Sequence, residues 1–536
     1  MIPTETERAG AKPPTGHVKQ DRGPVHAGFS GFNHHADLRG KGGMRLKELV
    51  EVIDAVDFKG DPDLNISSIA YDSRAVGPKT LFVALKGHRQ DGHRFIGEAL
   101  SKGAVAVISE LSPDSPHLPR QGGAALVQVP DSREALSRVA VRFFNAPFKE
   151  MSMVGVTGTN GKTTTAYILE SILLGAGQRP GVIGTVSYRY PGHVQDAPVT
   201  TPESLDLMKV LREMANTGVT HAVMEVSSHA LDQGRVRACP FGVAIFTNIS
   251  RDHLDYHGSM ESYFRAKAIL FTSLGAQGTG ETVTAVINID DPKGQELMRL
   301  TPARVMTYGM GEGCDVRAEQ VRVSWEGLSA RLITPEGEAE VESALMGEFD
   351  IYNIMAAAAG ALSLGIHMDS IRSGVKRLKG VPGRLERVRN NRGLAIVVDY
   401  AHTPDALLKA LRAVRALTNG RVLTVIGCGG DRDRGKRRPM GRVAGMESDM
   451  VFITSDNPRT EDPDLIAAQI EEGVIESGLR DYTLDLDRER AIQRAVEAAR
   501  NDDLILIAGK GHETYQIIGT QKKAFDDRVV AARAAR

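Results

Sequence analysis

Cysteine, net charge and long apolar runs are all scarce in this chain, and each shortage narrows what the protein can be. The three cysteines, Cys239, Cys314 and Cys428, lie far apart without metal-ligand spacing, which argues against a disulfide framework or a zinc knuckle. Lysine and arginine total 66 against 67 aspartates and glutamates, so we expect no general attraction to nucleic acid or anionic membranes. No apolar run approaches the roughly 20 residues that span a bilayer, and the start "MIPTETERAG" lacks the basic and apolar parts of a secretion signal. We expect a cytoplasmic protein with no nucleic-acid partner and no membrane insertion.

The length of 536 residues is too great for one ordinary core and suggests about three domains. Residues 1–43 are rich in Gly, Pro, His and charge, so we predict a disordered tail there, with Met44 as a candidate translation start. Farther on, short apolar runs such as "AVAVIS" alternate with helical patterns such as "REALSRVAVRFF", which is typical of an α/β fold. Breaks at "NAPFKE" and "LKGVPGRLERV" predict domains at 44–149, 150–380 and 381–536. The strands of the last domain, among them "AIVVDYA" and "DLILIAGKG", predict a doubly wound sheet.

The stretch "TGTNGKTTTAY", which starts at Thr157, joins an apolar strand to a helical pattern. Such a loop surrounds an anion with backbone N–H groups and a helix N-terminus, and it adds Lys162 as a point charge and Thr163 as a magnesium ligand. Val156 stands where the strict phosphate-loop pattern has its first glycine, so this is a shorter variant of that pattern. The variant predicts a nucleotide-phosphate site. A kinase, a GTPase, a motor, a ligase or a non-catalytic nucleotide-binding scaffold could each carry one.

A series of longer motifs occurs along the chain in the order found in the Mur ligases: "GTNGKTT", "EVSSHALDQGRV", "NISRDHLDYHG" with "YFRAKAILF", "GRLERV", "DYAHTPDAL", "GCGGDRDRGKRRPMG", "DNPRTEDP" and "AGKGHETYQ". The chain resembles that family from the proposed start to near its C-terminus. The resemblance implies an N-terminal UDP-binding α/β domain, a central P-loop ATPase domain with a mainly parallel sheet, and a C-terminal Rossmann-like domain for the incoming amino acid. It also implies a step of peptidoglycan precursor synthesis. ATP phosphorylates the D-glutamate carboxylate of UDP-MurNAc-L-Ala-D-Glu, and the amine of a diamino acid then displaces the phosphate.

From the residues alone, three candidate catalytic groups have plainer explanations. Glu225 ends the apolar strand "HAVMEV" and could simply be solvated, His253 could be a structural loop histidine, and Lys267 is one lysine on an amphipathic helix. The resemblance instead implies ATP with two Mg²⁺ ions, and a CO2-derived carbamate on Lys267 (N6-carboxylysine) that turns a cation into a metal-binding anion. The implied catalytic residues are Lys162, Glu225, His253 and Lys267; the implied metal ligands are Thr163, Glu225, His253 and carbamylated Lys267; the implied ATP contacts are Gly158, Thr159, Asn160, Gly161, Lys162, Thr163, Thr164, Arg384 and Asp399.

The resemblance also implies the contacts of the UDP-MurNAc-dipeptide, partly through "YDSR" and "KGHRQDG" in the first domain. From the residues alone, Thr201 before Pro202 could cap the helix that follows, and both roles are compatible. The implied contacts are Ser73, His88, Arg89, Gln90, Thr200, Thr201, Ser227, Gln233 and Arg235.

The motif "DNPR" bears on which diamino acid is added. Meso-diaminopimelate is lysine with an extra carboxylate, and a guanidinium matches a carboxylate in a bidentate pair. Arg459 supplies that guanidinium near a strand's carboxyl end, as in the diaminopimelate-adding members, although from the residues alone it could merely cap the local turn. Glu513 suits the far ammonium group. The implied meso-diaminopimelate pocket is Arg432, Asp456, Asn457, Pro458, Arg459, Gly509 and Glu513.

Other functions fit the sequence less well. The same ligation with L-lysine is the nearest alternative, and a folylpolyglutamate synthetase, which shares the ATPase design, is a more distant one. "DNPRTEDP" and the UDP-type first domain argue against the folate enzyme, and a simple kinase or GTPase does not explain "GCGGDRDRGKRRPMG". A non-catalytic scaffold predicts a damaged metal site, whereas Lys162, Glu225, His253 and Lys267 are all present. We expect a monomer whose partners are small-molecule substrates.

Overall fold

The computed structural model describes residues 43–87, 90–116, 118, 123–275 and 283–536. Within them the chain has a mixed α/β fold built around three large sheets, in agreement with the predicted fold class. The predicted tail up to residue 42 and the predicted contacts His88 and Arg89 lie outside the described residues.

The N-terminal part forms a five-stranded sheet in the order β2-β7-β6-β5-β4, in which only β2 is antiparallel to its neighbour. The segment "MRLKELVEVIDAV", which has a helical apolar pattern, begins instead as a strand that pairs with residues Asn65 and Ile66 and continues as one short helix. The elements are β1 (Met44–Arg45), α1 (Leu46–Val50), β2 (Asp57–Lys59), β3 (Asn65–Ile66), β4 (Ser68–Ala70), β5 (Thr80–Val83), α2 (Ile96–Ser101), β6 (Ala104–Ser109), β7 (Ala125–Gln128) and α3 (Ser132–Phe143).

The central part forms an eleven-stranded sheet in the order β11-β10-β9-β12-β8-β13-β14-β15-β16-β17-β18. The strands from β9 to β16 run parallel, and antiparallel strands complete both edges. The elements are β8 (Ser152–Thr157), α4 (Lys162–Gly175), β9 (Pro180–Ile183), β10 (Ser187–Tyr190), β11 (His193–Asp196), α5 (Ser204–Asn216), β12 (His221–Glu225), α6 (Ser228–Asp232), β13 (Val243–Phe246), α7 (Leu254–His257), α8 (Met260–Thr272), β14 (Thr284–Asn288), α9 (Pro292–Leu300), β15 (Arg304–Gly309), β16 (Val316–Ser324), β17 (Gly327–Thr334), β18 (Gly337–Ser343), α10 (Asp350–Ser363) and α11 (Met368–Arg377).

The C-terminal part forms a six-stranded sheet in the order β19-β20-β24-β21-β22-β23, parallel except for β19. Its strands are apolar throughout because helices cover both faces, so neighbouring residues such as Val397 and Val398 pack into different core clusters. The elements are β19 (Glu386–Arg387), β20 (Ala395–Asp399), α12 (Pro404–Arg415), β21 (Val422–Ile426), α13 (Arg437–Glu447), β22 (Met450–Ile453), α14 (Pro463–Ser477), β23 (Tyr482–Leu484), α15 (Arg488–Ala498), β24 (Leu504–Ala508), the hairpin β25 (Tyr515–Ile518) and β26 (Gln521–Ala524), and α16 (Asp527–Ala534).

We propose domain boundaries at 149/150 and 380/381. In the described parts of the chain, no hydrogen-bonded strand pair crosses either point, which supports these positions. No helix among the described residues combines the length and the apolar character needed to cross a bilayer.

A buried ion pair fastens the last helix to the C-terminal sheet. Arg488 donates to Asp527 through Nε and Nη2, at 2.8 Å each, and both side chains are 0% exposed. The same Nη2 donates to the carbonyl of Ala508 at the end of β24, at 3.0 Å. Both charges are therefore compensated although neither reaches water.

Replacing Asp527 with alanine should lower the free energy of unfolding by roughly 3–5 kcal/mol, because Arg488 would keep a buried charge without its partner. The matched control is Arg533→Ala, which breaks an exposed pair with Glu489 and should cost less than about 1 kcal/mol. Urea unfolding of both variants measures the difference. Equal losses would show that the buried pair contributes no more than a surface pair.

Candidate active site

The predicted phosphate loop connects β8 to α4 and requires glycine at two positions. Gly158 and Gly161 have φ values of +148° and +89°, which disfavour any residue with a side chain. A Cβ at Gly158 would lie 1.9 Å from Thr247 Oγ1, and one at Gly161 would lie 2.4 Å from Asn353 Oδ1. The glycines therefore allow the loop to pass close to neighbouring elements.

Lys162, the first residue of α4, folds back over this loop. Its Nζ donates to the carbonyls of Gly158 and Thr159, at 2.9 Å each. Burial lowers the pKa of Lys162, and the carboxylate of Glu225 partly opposes that effect. A positive helix N-terminus beside an ammonium group suits a bound phosphate.

Glu225 ends β12 with its carboxylate inside the site, 1% exposed. Its Oε2 accepts hydrogen bonds from the hydroxyls of Thr163 and Thr185, both at 2.9 Å, and its Oε1 accepts from the Thr185 N–H at 2.9 Å. A solvated position for Glu225 is therefore wrong. Sequence reasoning missed Thr185, although it follows β9, the parallel neighbour of β12, and so lies at the same sheet edge.

Lys267 lies on α8 and is 1% exposed. Its Nζ donates to the carbonyl of Gly158 at 2.7 Å and lies 4.4 Å from the ring centroid of Tyr263. Burial and the neighbouring charge of Lys162 hold the pKa of Lys267 well below its ordinary value. An uncharged amine is the form that reacts as a nucleophile, so a surface role for Lys267 is wrong.

His253 occupies a loop with the left-handed φ of +54°. Its Nε2 lies 3.4 Å from Asp252 Oδ2, and its ring packs edge-on against His229 with centroids 4.8 Å apart. Burial lowers the pKa of His253 to about 4, so the ring is neutral near pH 7 and able to bind a metal.

Among the described residues, however, no three or more His, Cys, Asp or Glu side chains gather as a metal cluster. The Thr163 hydroxyl and the Glu225 carboxylate lie 2.9 Å apart, and a site for Mg²⁺ there would need further oxygen ligands.

The predicted dipeptide contacts of the central domain form one hydrogen-bonded group next to Glu225. The Thr201 hydroxyl donates to the carbonyl of Glu225 at 2.8 Å and accepts from the N–H of Ser227 at 3.0 Å. Arg235 donates to Gln233 Oε1 and, at 3.0 Å, to the carbonyl of Thr201. The alternative role of Thr201 as a helix cap is wrong, since the N-cap of α5 is Glu203.

Thr200 also joins the Glu225 group, through a contact of 3.1 Å between its hydroxyl and that of Thr185. In the first domain, Ser73 is buried and its carbonyl accepts from Lys102 at 3.1 Å, whereas Gln90 is exposed and its carbonyl accepts from Gly87 at 3.0 Å.

The C-terminal domain reaches the phosphate loop at two points. Arg384 Nη2 donates to Thr163 Oγ1 at 3.1 Å. Asp405, near the start of α12, accepts from Asn160 at 3.0 Å and from Ser250 at 2.9 Å. Sequence reasoning missed Asp405, because nothing in "DYAHTPDAL" shows that it faces another domain.

Asp399 accepts from the N–H of Leu385 at 2.8 Å, and burial raises its pKa. Leu385 has the left-handed φ of +37°, so this bond fixes the backbone beside Arg384. The geometry supports a positioning role for Asp399.

The predicted amino-acid pocket lies where β21, β22 and β24 end. Asn457 donates from Nδ2 to Glu513 Oε2 at 2.8 Å, and a Cβ at Gly509 would lie 2.6 Å from Asp456 Oδ2. Arg459 donates from Nη1 to the carbonyl of Gly430 at 2.8 Å, at a left-handed φ of +52°.

Two neighbouring loops complete this pocket. The loop that carries Arg432 packs against the one that carries Pro458, since a Cβ at Gly430 would lie 1.9 Å from the Pro458 carbonyl oxygen. Arg432 donates to the carbonyl of Asp431 at 2.9 Å. The two arginines, Arg432 and Arg459, thus flank a single glycine: a Cβ at Gly429 would lie 3.8 Å from Arg432 Cγ and 2.9 Å from Arg459 Nη1.

Comparison with known proteins assigns a family to this arrangement. Three family models match the chain: Mur ligase family, catalytic domain, at residues 65–144; Mur ligase middle domain at 156–361; and Mur ligase, glutamate ligase domain, at 383–511. The chain belongs to the Mur ligase family. The resemblance found in the sequence motifs is confirmed.

Relatives of this Mur ligase match it over nearly the whole chain. Two named UDP-N-acetylmuramoyl-L-alanyl-D-glutamate--2,6-diaminopimelate ligase, from Geobacter sulfurreducens and Geobacter metallireducens, are 46% and 47% identical to it. Both matches cover 92% of this chain, and they cover 99% and 98% of the relatives. A solved structure of a ligase of that name is 34% identical, with a TM-score of 0.64, and the match covers 92% of this chain and 99% of that one.

The variant Gly158→Ala should weaken ATP use, since it adds a clash with Thr247 and a backbone strain of roughly 1–3 kcal/mol. We expect a higher KM for ATP in assays of phosphate release. The matched control is Gly313→Ala in the same domain, where a Cβ meets nothing within 4 Å. An unchanged KM for ATP in Gly158→Ala would contradict the role given to this loop.

Proposed function

We propose that this chain is an ATP-dependent ligase that joins meso-diaminopimelate to the D-glutamate carboxylate of UDP-MurNAc-L-Ala-D-Glu in peptidoglycan precursor synthesis. The observation that carries the proposal is the contact between Arg384 and Thr163. It connects the phosphate loop of the central domain to the C-terminal domain, whose sheet carries a pocket with charges suited to an amino acid. The near full-length relatives with the corresponding name support the same conclusion.

The reaction requires activation of the carboxylate, since a carboxylate resists attack by an amine. In the first step a carboxylate oxygen attacks the γ-phosphorus of ATP, and ADP leaves. In the second step the amine of the diamino acid attacks the carbonyl carbon of the acyl phosphate, inorganic phosphate leaves with the bonding electrons, and the nitrogen loses a proton. Both steps crowd negative oxygens together, and Lys162, Arg384 and the α4 N-terminus supply positive charge there.

The residues present fit two Mg²⁺ ions if Lys267 becomes an anion. The Thr163 hydroxyl and the Glu225 carboxylate supply adjacent oxygens for one ion, and His253 with carbamylated Lys267 would hold the other. When bound, Mg²⁺ supplies positive charge that neutralises phosphate oxygens. The protein itself orients Glu225 through Thr185 and keeps His253 neutral.

The surroundings of Lys267 favour carbamylation. Its amine is buried beside Lys162, and both Nζ atoms donate to the Gly158 carbonyl. Attack of the uncharged amine on CO2 forms a carbamate and releases one proton. The product is an anion that attracts the Lys162 ammonium, whereas a protonated Lys267 would be repelled by it.

The pocket at the ends of β22 and β24 has charges that match the far end of meso-diaminopimelate. Arg459 and Arg432 supply guanidinium groups for its second carboxylate, and Asp456 with Glu513 supplies carboxylates for its ammonium. L-lysine lacks that carboxylate and could not form this ion pair with the guanidinium groups. The charge pattern thus favours meso-diaminopimelate over the L-lysine alternative.

The variant Lys267→Ala should abolish ligation, and short carboxylates such as formate or acetate should partly restore it by replacing the carbamate. The matched control is Lys293→Ala on the adjacent helix α9, whose lysine pairs at the surface with Glu296 and should be dispensable. Phosphate release with all three substrates measures both. Full activity of Lys267→Ala without added carboxylate would contradict the carbamate.

Substrate preference tests the proposed function directly. We expect kcat/KM for meso-diaminopimelate to exceed that for L-lysine by roughly 10⁴-fold, because L-lysine lacks the second carboxylate to which this pocket would hydrogen-bond. Arg459→Ala should lose most of the activity toward meso-diaminopimelate, whereas Arg480→Ala, at an exposed position of the same domain, should not. Equal or greater efficiency with L-lysine would refute the proposed specificity.

A further inference from the structure

Lys510 is a buried cation beside the proposed amino-acid pocket, and the reaction described above does not use it. It is the second residue after β24, directly after Gly509. Its side chain is 0% exposed. The Nζ atom lies 3.2 Å from Asn457 Oδ1, 3.0 Å from Glu513 Oε2 and 3.8 Å from Asp456 Oδ1. Because Lys510 has no exposed surface, it reaches a substrate only through these three neighbours.

The first consequence is a fixed orientation of the Asn457 amide. Lys510 Nζ and the N–H of Ile517, at 2.9 Å, both donate to one atom of that amide, which must therefore be the oxygen. The amide nitrogen consequently faces the pocket, where it donates one hydrogen to Glu513. Its second hydrogen has no hydrogen-bond acceptor among the described residues, so it remains able to bind a carboxylate.

The second consequence concerns charge. Asp456 and Glu513 together carry two negative charges, and Lys510 compensates one of them from within the protein. The remaining single negative charge matches one substrate ammonium. The backbone carbonyl of Asp456 accepts from Gln516 Nε2 at 2.7 Å. Its carboxylate accepts no hydrogen bond in the described part of the chain, and its contact with Lys510 at 3.8 Å is an ion pair only, so the carboxylate is able to accept from that ammonium.

We infer that Lys510 is a positioning residue for the diamino acid: it orients Asn457 and Glu513 and compensates one of the two negative charges of Asp456 and Glu513. This inference rests on the proposed function. A lysine that only stabilised the fold would affect all substrates alike, whereas a positioning residue acts on the diamino acid alone.

The experiment compares Lys510→Met, which removes the charge and the hydrogen bonds, with Lys510→Gln, which keeps a donor but removes the charge. We expect KM for meso-diaminopimelate to rise by roughly 30-fold or more in Lys510→Met, as for loss of one partner of a buried charge pair. Lys510→Gln should show a smaller rise. KM for ATP and for UDP-MurNAc-L-Ala-D-Glu should stay unchanged in both.

The matched control is Lys522→Met, since Lys522 is an exposed lysine whose Nζ lies 3.7 Å from the ring centroid of Tyr515, the ring that Lys510 approaches from 5.6 Å. It should leave every KM unchanged. A double variant Lys510→Met with Glu513→Gln should lose less than the two single losses combined, because each variant disrupts the same interaction.

The outcomes separate this inference from the proposed function. If the unmodified protein does not use meso-diaminopimelate, the proposed function fails. If it does, and either Lys510 variant folds and keeps its KM for meso-diaminopimelate, the inference about Lys510 fails while the function stands. If neither variant folds, or if the three KM values rise together, Lys510 has a structural role and the inference is overturned.

Discussion

Two lysine nitrogens, those of Lys162 and Lys267, donate to the same backbone oxygen of Gly158, at 2.9 and 2.7 Å. They therefore cannot be farther apart than the sum of these distances, and two full charges at such a range would repel each other by roughly 3 kcal/mol in a protein-like dielectric. Burial and this repulsion together hold the pKa of Lys267 well below its ordinary value. Anions relieve this repulsion: the phosphates of a nucleotide, or a carboxylate formed on one of the lysines. The other groups of the site lie around these two lysines. Beside the same loop, Thr163 donates to the carboxylate of Glu225 at 2.9 Å and accepts from Arg384 at 3.1 Å, so the groups that would serve the proposed phosphoryl transfer are gathered there.

The site also depends on two sheet edges, because its residues lie at the carboxyl ends of strands from both the central and the C-terminal sheet. In the central sheet β8, β9 and β12 end at the phosphate loop, Thr185 and Glu225. In the C-terminal sheet β21, β22 and β24 end at the amino-acid pocket. Asp405 joins the two parts through Asn160 and Ser250. In the proposed reaction the acyl phosphate would form at the first edge and the amine would be held at the second, so the contacts between the two parts bear on how the reactants are oriented.

Sequence patterns predicted the α/β class, the loop between β8 and α4, and the position of Glu225 at a strand end, because each depends on local periodicity and glycine placement. They did not predict Thr185 or Asp405, whose roles depend on which strands are neighbours and which domains touch. Lys267 shows most clearly how far the sequence alone can predict the site. Its helix was evident from "YFRAKAILF", but the sequence does not show that the lysine faces Gly158 rather than solvent. The cap predicted for Thr201 was wrong because Glu203 occupies that position and the Thr201 hydroxyl bonds to the backbone of Glu225 instead.

The amino-acid pocket depends on backbone conformations that are costly by themselves. Arg459 and Asp431 both have left-handed φ values, +52° and +54°, and each such residue costs roughly 1–3 kcal/mol unless its surroundings hold it. Arg459 is held by the hairpin, since its N–H donates to Ile517 at 3.1 Å and its carbonyl accepts from Gly519 at 2.7 Å. Asp431 is held by the hydroxyl of Thr460 at 2.8 Å. The hairpin β25–β26 therefore holds the backbone of Arg459, while Lys510 donates to Asn457 and Glu513. In the proposed reaction the carboxylate and the ammonium of the diamino acid would be bound by groups with different supports. These two supports meet at Asn457, whose oxygen accepts from both Ile517 and Lys510.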